Sequence, residues 1–88
     1  MSAADIRTIA RQYLLDEFLP GEPAELLTDT TPLVTGGILD SLATLKLATF
    51  LERTFNIELE AHEMSVDHLD TITAIESLVL SKLSPQGR

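Results

Sequence analysis

The 88-residue chain contains no cysteine and no tryptophan, and its aromatic residues are one tyrosine and three phenylalanines. Without cysteine there is no disulfide framework, no thiol nucleophile and no thiolate-bound zinc. The fold must therefore hold by packing alone. Cations are scarce as well: six Lys and Arg stand against fourteen Asp and Glu, a net charge of −8. So acidic a chain repels DNA, RNA and anionic lipid surfaces, so no nucleic acid is expected to bind, and a protein with a basic patch is the better match. Long apolar runs are missing too. The uninterrupted stretches are a few residues each, far below the ~20 that span a bilayer, and Met1–Arg7 has no basic segment leading into an apolar one. No membrane partner is expected, and a cytoplasmic location follows by default.

What the chain does have is enough apolar material to fold. At 44% hydrophobic it is too rich for a disordered acidic tail. Its length allows one domain, so residues 1–88 are expected to form a single unit. Its helical core should cover about 3–83, with a polar tail over 84–88.

Three segments carry a helical period. Ser2 is placed to cap the first, with Asp5 three residues on completing an acidic start signal. Ile6, Ile9, Ala10, Tyr13, Leu14 and Phe18 then share one face. Pro20-Gly21-Glu22-Pro23 ends that helix. Residues 20–40 form a long connection, expected to be pinned to the core by Leu26, Leu27, Leu33, Val34, Ile38 and Leu39. A helical turn can form at 23–27, and Gly36-Gly37 permits a sharp bend.

The second helix is expected over Ser41–Phe55 with Asp40 as N-cap. Thr44, Leu47, Ala48, Leu51 and Phe55 should face the core, with Phe50 at the edge of that stripe. Leu42, Leu45, Lys46, Thr49, Glu52 and Arg53 should face outward. Asn56 is a stop signal. Residues 57–60 alternate like a strand, but a lone strand has no partner, so an extended loop is predicted. A short helix at 65–69 and a last helix capped by Asp70 or Thr71 follow, the latter with Ile72, Ile75, Val79 and Leu83 as its stripe and Leu78 beside them. The fold class is thus all-α: a small bundle of three longer helices and one short helix, with a long first loop.

The informative stretch is Gly36-Gly37-Ile38-Leu39-Asp40-Ser41-Leu42. It sets a serine hydroxyl at the first position of a helix, where free backbone N–H groups and the helix dipole favour an anionic substituent such as a phosphate ester. Leu42 and Leu45 flank it on the outward face, where exposed leucines can anchor a docking protein. Capping alone accounts equally well for Asp-Ser at a helix start.

Asp40-Ser41-Leu42 resembles the Asp-Ser-Leu signature of acyl and peptidyl carrier proteins. The likeness extends over most of the chain, through Gly-Ile-Leu-Asp-Ser-Leu, the second helix closing with Phe-Leu-Glu-Arg-Thr-Phe-Asn-Ile, and the short helix before Thr71-Ile72-Thr73-Ala74-Ile75. The resemblance implies an acyl-carrier-like bundle without catalytic activity of its own. It implies that Ser41 receives 4′-phosphopantetheine from coenzyme A, with Asp40 assisting the transferase through a metal ion. The arm's thiol would hold acyl or aminoacyl cargo as a thioester, so a chain without cysteine does thiol chemistry with imported sulfur. Implied partners are a phosphopantetheinyl transferase, an acyl- or aminoacyl-activating ligase and downstream synthase or transferase enzymes. The docking contacts would be Leu42, Leu45, Lys46, Thr49 and Arg53. A monomer is expected.

One departure bears on the pathway. Carriers of bacterial fatty-acid synthesis usually present an acidic second helix, whereas residues 41–55 here set Lys46 and Arg53 against Glu52 alone. A dedicated carrier for polyketide, nonribosomal peptide or unusual acyl chains, or an aminoacyl or peptidyl carrier loaded by its own ligase, is the expectation. Because the chain starts with methionine and ends soon after the last helix, a free-standing carrier is expected. The alternative from another class is an unmodified acidic interaction protein. A zinc hydrolase is set aside: His62-Glu63 lacks the second histidine of H-E-x-x-H, since position 66 is Val66. A serine hydrolase is set aside because Leu39 breaks the G-x-S-x-G elbow. No glycine stands among the acids from Glu58 to Asp70, as a calcium loop requires. They are expected to be a solvated face, and no metal site is predicted.

Overall fold

The computed structural model describes residues 2–83. They form four α-helices, α1 (Ala3–Phe18), α2 (Ser41–Phe55), α3 (Val66–Leu69) and α4 (Ile72–Leu83), with 3-10 turns at Ala24–Leu26 and Ala61–Met64. No strand occurs among the described residues, and 57–60 is an extended loop. The expected tail at 84–88 lies outside the described residues.

The helix boundaries follow from their caps. Ser2 accepts a hydrogen bond from the Asp5 N–H, satisfying one of the orphan donors of the first turn of α1. At the start of α4 it is Thr71 that caps, its hydroxyl accepting from the Ala74 N–H at 3.0 Å. Asn56 ends α2 in the left-handed region at φ 56°, a conformation asparagine tolerates better than most side chains. The 3-10 turn at Ala61–Met64 has a capping box in which Glu60 and Glu63 each accept the other's backbone N–H.

The core is apolar throughout; no polar or charged side chain is buried among the described residues. Ile6, Ala10, Leu14 and Leu15 of α1 face Ile72, Ile75, Leu78 and Val79 of α4, the most extensively packed helix pair. Leu47, Ala48, Leu51 and Phe55 of α2 close the bundle. Three expectations are corrected. Leu26 is half exposed, because the 3-10 turn points it outward while Leu27 is buried. Leu83 is exposed, as are Leu80 and Ser81, so the core-facing stripe of α4 ends at Val79. In α2 the buried residue of the first turn is Ala43, and Thr44 is only half-buried, its hydroxyl donating to the Asp40 carbonyl at 2.7 Å.

The long loop is held by three sets of contacts. Arg11 donates from Nε to the Leu27 carbonyl at 3.0 Å and pairs with the Asp29 carboxylate, which also meets Arg7. Arg7 further pairs with Glu76 of α4. The Asp29 carbonyl accepts both the N–H and the hydroxyl of Thr73. Finally, Asp70 fastens the stretch next to the start of α2. Its carboxylate accepts the N–H groups of Val34 and Thr35 and the Thr35 hydroxyl at 2.8–2.9 Å, and its carbonyl accepts the Leu33 N–H at 2.6 Å. These bonds hold the Asp70 carboxyl below the usual carboxylate range, the Thr35 N–H contributing most. Asp70 therefore ties the loop instead of capping α4.

Candidate functional site

The loop delivers the chain to α2 through two glycines with different tasks. At Gly36 an added Cβ would collide with the Pro32 carbonyl oxygen, so the two backbone segments can approach only if no side chain stands there. Gly37 has φ +86° with open space around it, so its requirement is conformational. The Leu39 N–H then donates to the Leu33 carbonyl at 2.8 Å, closing the loop directly before Asp40.

Asp40 is extended, at φ −89° and ψ −172°, and its Oδ1 accepts the Ala43 N–H at 2.8 Å. Its carbonyl takes the Thr44 N–H at 2.9 Å, the first hydrogen bond of α2. The N–H groups of Ser41 and Leu42, the two leading positions of the helix, consequently have no intrahelical acceptor. Ser41 is exposed. Its hydroxyl thus stands in the positive field of a 15-residue helix, beside orphan donors. Next to it is a cleft of about 460 Å³ whose apolar lining comes from Val34, Leu39, Met64 and Val66.

The structure brings the five predicted docking residues to one groove. Leu42, Leu45, Lys46, Thr49 and Arg53 line a depression of about 500 Å³ along the outer face of α2. Leu42 is 62% and Leu45 55% exposed, the two largest exposures among the big apolar side chains described. The far wall was not foreseen from the sequence. Tyr13 of α1 stacks on Phe50 with ring centroids 3.9 Å apart and planes 11° from parallel, and its hydroxyl donates to the Lys46 carbonyl at 3.3 Å. Phe18 meets Tyr13 edge-on. Tyr13 was expected in the core stripe of α1, but it sits at the stripe's margin, half-buried. An amphipathic ring at the end of an apolar stripe, opposite an edge phenylalanine, was the available signal. Partial burial, and to a lesser degree Glu17, raises the Tyr13 phenol above its ordinary pKa.

Glu52 was expected on this outward face and does not lie on the groove. Its carboxylate turns to accept the Leu59 N–H at 2.9 Å, holding the extended loop after α2. The acids expected to be a solvated face are partly engaged as well. Glu63 pairs with Lys82 at 2.6 Å while accepting the Glu60 N–H. Those contacts lower the Glu63 pKa, the Glu60 N–H first, and raise that of Lys82. His62 is exposed and comes within 3.8 Å of the Glu60 carboxylate. No group of three or more potential ligands that could hold a metal ion occurs among the described residues.

The chain as a whole is similar to proteins of known identity. The D-alanyl carrier proteins of Streptococcus pyogenes serotypes M1, M5 and M49 are each 36% identical to this chain over 62 residues, which cover 70% of this chain and 76% of each relative. The chain belongs to the phosphopantetheine-binding carrier proteins. No protein-family model matches it. Carriers of this family hold a covalent 4′-phosphopantetheine and have no catalytic activity of their own. Among the described residues no helix is long and apolar enough to cross a membrane.

Proposed function

We propose that Ser41 is the attachment residue and that this carrier presents an aminoacyl or acyl thioester to the enzymes of a dedicated biosynthetic pathway. The observation that carries the reading is the placement of Ser41, exposed at the first position of α2 with free N–H groups beside its hydroxyl. A phosphodiester at that oxygen would be stabilised by the helix N-terminus. In the modification step the Ser41 Oγ bonds to the pantetheine-side phosphorus of coenzyme A, the phosphoanhydride bond breaks, and adenosine 3′,5′-bisphosphate leaves. The hydroxyl proton passes to a base on the transferase. Asp40 uses Oδ1 for its cap, and Oδ2 has no hydrogen bond among the described residues. It can therefore assist a metal ion brought by the transferase without releasing the helix. Once attached, the group supplies a terminal thiol that holds cargo as a thioester.

The name of the streptococcal relatives favours an amino acid as cargo and an amino-acid-activating ligase as the loading enzyme. The outward face of α2, cationic because Glu52 is turned away, supports a carrier separate from acidic-helix fatty-acid synthesis. Polyketide and nonribosomal peptide enzymes, or a transferase that takes a single aminoacyl group, are the downstream partners that fit.

The test is incubation with coenzyme A and a broad-specificity phosphopantetheinyl transferase, followed by intact mass. One added phosphopantetheine is expected on the native chain and none on Ser41→Ala. Modification of Ser41→Ala would falsify the assignment. Mass spectrometry of the protein isolated from its own host then identifies the thioester.

A further inference from the structure

Five cations lie within the described residues, and the structure divides them sharply. Arg7, Arg11 and Lys82 each meet a carboxylate of this chain. Lys46 and Arg53 meet none among the described residues, and both border the same groove, beside exposed Leu42 and Leu45. The one acid of α2, Glu52, is committed to the Leu59 N–H. A chain of net charge −8 thus keeps the two uncommitted positive charges of its described residues at the rim of an apolar depression. Across the Tyr13–Phe50 stack the surface changes sign, with Asp16 lining the next hollow together with Ile9 and Gln12.

We infer that the groove between α1 and α2 docks a partner enzyme through a large apolar side chain flanked by carboxylates, seated against Leu45, Tyr13 and Phe50 with its acids toward Lys46 and Arg53. The inference rests on the carrier reading, which places visiting enzymes near the head of α2. It adds the partner's chemistry, an acidic rim about an apolar plug, and assigns one wall of the dock to α1. The apolar plug supplies most of the affinity, because burying it removes several exposed groups from water at once. The exposed charges select the partner and speed its approach. Asp16 fixes the direction, since a carboxylate placed on its side of the stack would be repelled.

The experiment is an NMR titration of the full-length holo-protein with two blocked synthetic peptides. One carries Leu-Phe between pairs of glutamates, and the other carries the same Leu-Phe between pairs of lysines. The glutamate peptide is expected to shift the amides of Tyr13, Leu45, Lys46, Phe50 and Arg53, and to bind at least about fivefold more tightly than the lysine peptide at low salt, a gap that narrows as salt is added. The double variant Lys46→Glu/Arg53→Glu should reverse the preference, and Leu45→Ala should weaken both peptides. All of these positions are exposed or half-exposed, and unchanged thermal melts will show that the variants fold. Equal binding of the two peptides, shifts outside the groove, or no binding overturns the inference. So does self-association of the peptide-free protein that the double variant abolishes, which would give the groove to a second copy. Ser41→Ala is carried alongside: it should bind the glutamate peptide like the native apo-protein, so a failure of the attachment assignment leaves this result readable on its own.

Discussion

The loop side of the molecule and the outer face of α2 use the same residue types to opposite ends. On the loop side, Arg7 and Arg11 are drawn onto Asp29 and Glu76, and Asp70 collects the backbone of residues 33–35. On the α2 face, Lys46, Arg53, Leu42 and Leu45 have no such engagements among the described residues and remain exposed. The loop is long and irregular and would cost conformational entropy if left loose, so its charges are used to order it. The helix is ordered already by its cap and its buried stripe. Its outer charges are therefore available for other molecules. Polar contacts go where regular structure is absent, and free groups collect where it is secure.

Substitutions can sharpen or break this contrast, and the largest expected effect is in the core. Leu47→Ala removes a fully buried side chain of α2 and should cost about 2–5 kcal/mol in chemical denaturation. Leu45→Ala, two residues earlier and 55% exposed, should stay within about 0.5 kcal/mol. Similar losses at the two sites would mean that the outer face also supports the fold. Next comes Gly37→Ala, which places a Cβ at φ +86° and should destabilise by about 1–2 kcal/mol without touching a neighbour. Gly36→Ala should do more to the loop, since the clash is with Pro32 backbone that cannot rotate away. Slower modification of Ser41 in Gly36→Ala, compared with Gly37→Ala at matched stability, would link the loop's path to the site.

A pH experiment addresses the loop staple alone. The folded pKa of Asp70 is depressed, so the unfolded chain binds the extra proton first as acid is added. The stability due to this group is full above the unfolded value near ~4 and is lost as pH falls through the folded one. Asp70→Asn should lower the Tm at neutral pH and flatten its decline below about pH 4. An unchanged acid slope in thermal melts would remove Asp70 from the staple. The smallest effect is expected at Tyr13→Phe. It deletes one long, exposed hydrogen bond to the Lys46 carbonyl but keeps the ring stack, so stability should change by less than about 1 kcal/mol. A larger loss would show that the hydroxyl, more than the stack, holds α1 against α2.

How much was legible in the sequence follows the same division. The α2 boundaries, the Asp40 cap, the glycine bend and the outward set Leu42, Leu45, Lys46, Thr49 and Arg53 all rest on short-range rules, and the structure places them as expected. The errors and omissions depend on partners distant in the chain. Asp70 and Thr71 are equally good caps by local chemistry, and only the loop 35 residues earlier draws Asp70 away. Glu52 belongs to the outward face by helical period, and the Leu59 N–H that turns it lies past the end of the helix. Leu83 continues the α4 stripe by period, yet it is exposed at the last described turn. The stacking of Tyr13 on Phe50 likewise joins two stripe margins that no single helix reveals.

The direction in which the loop is tied has a consequence for synthesis. The groups that hold residues 29–35 include Asp70 and Thr73, both translated after Ser41. A nascent chain that has just cleared Ser41 from the ribosome has the Arg7 and Arg11 anchors of that loop but not those of Asp70 and Thr73. An enzyme that recognises the fully tied loop together with the serine will find that surface only after Thr73 has been made, so the order of translation itself delays the surface beside Ser41.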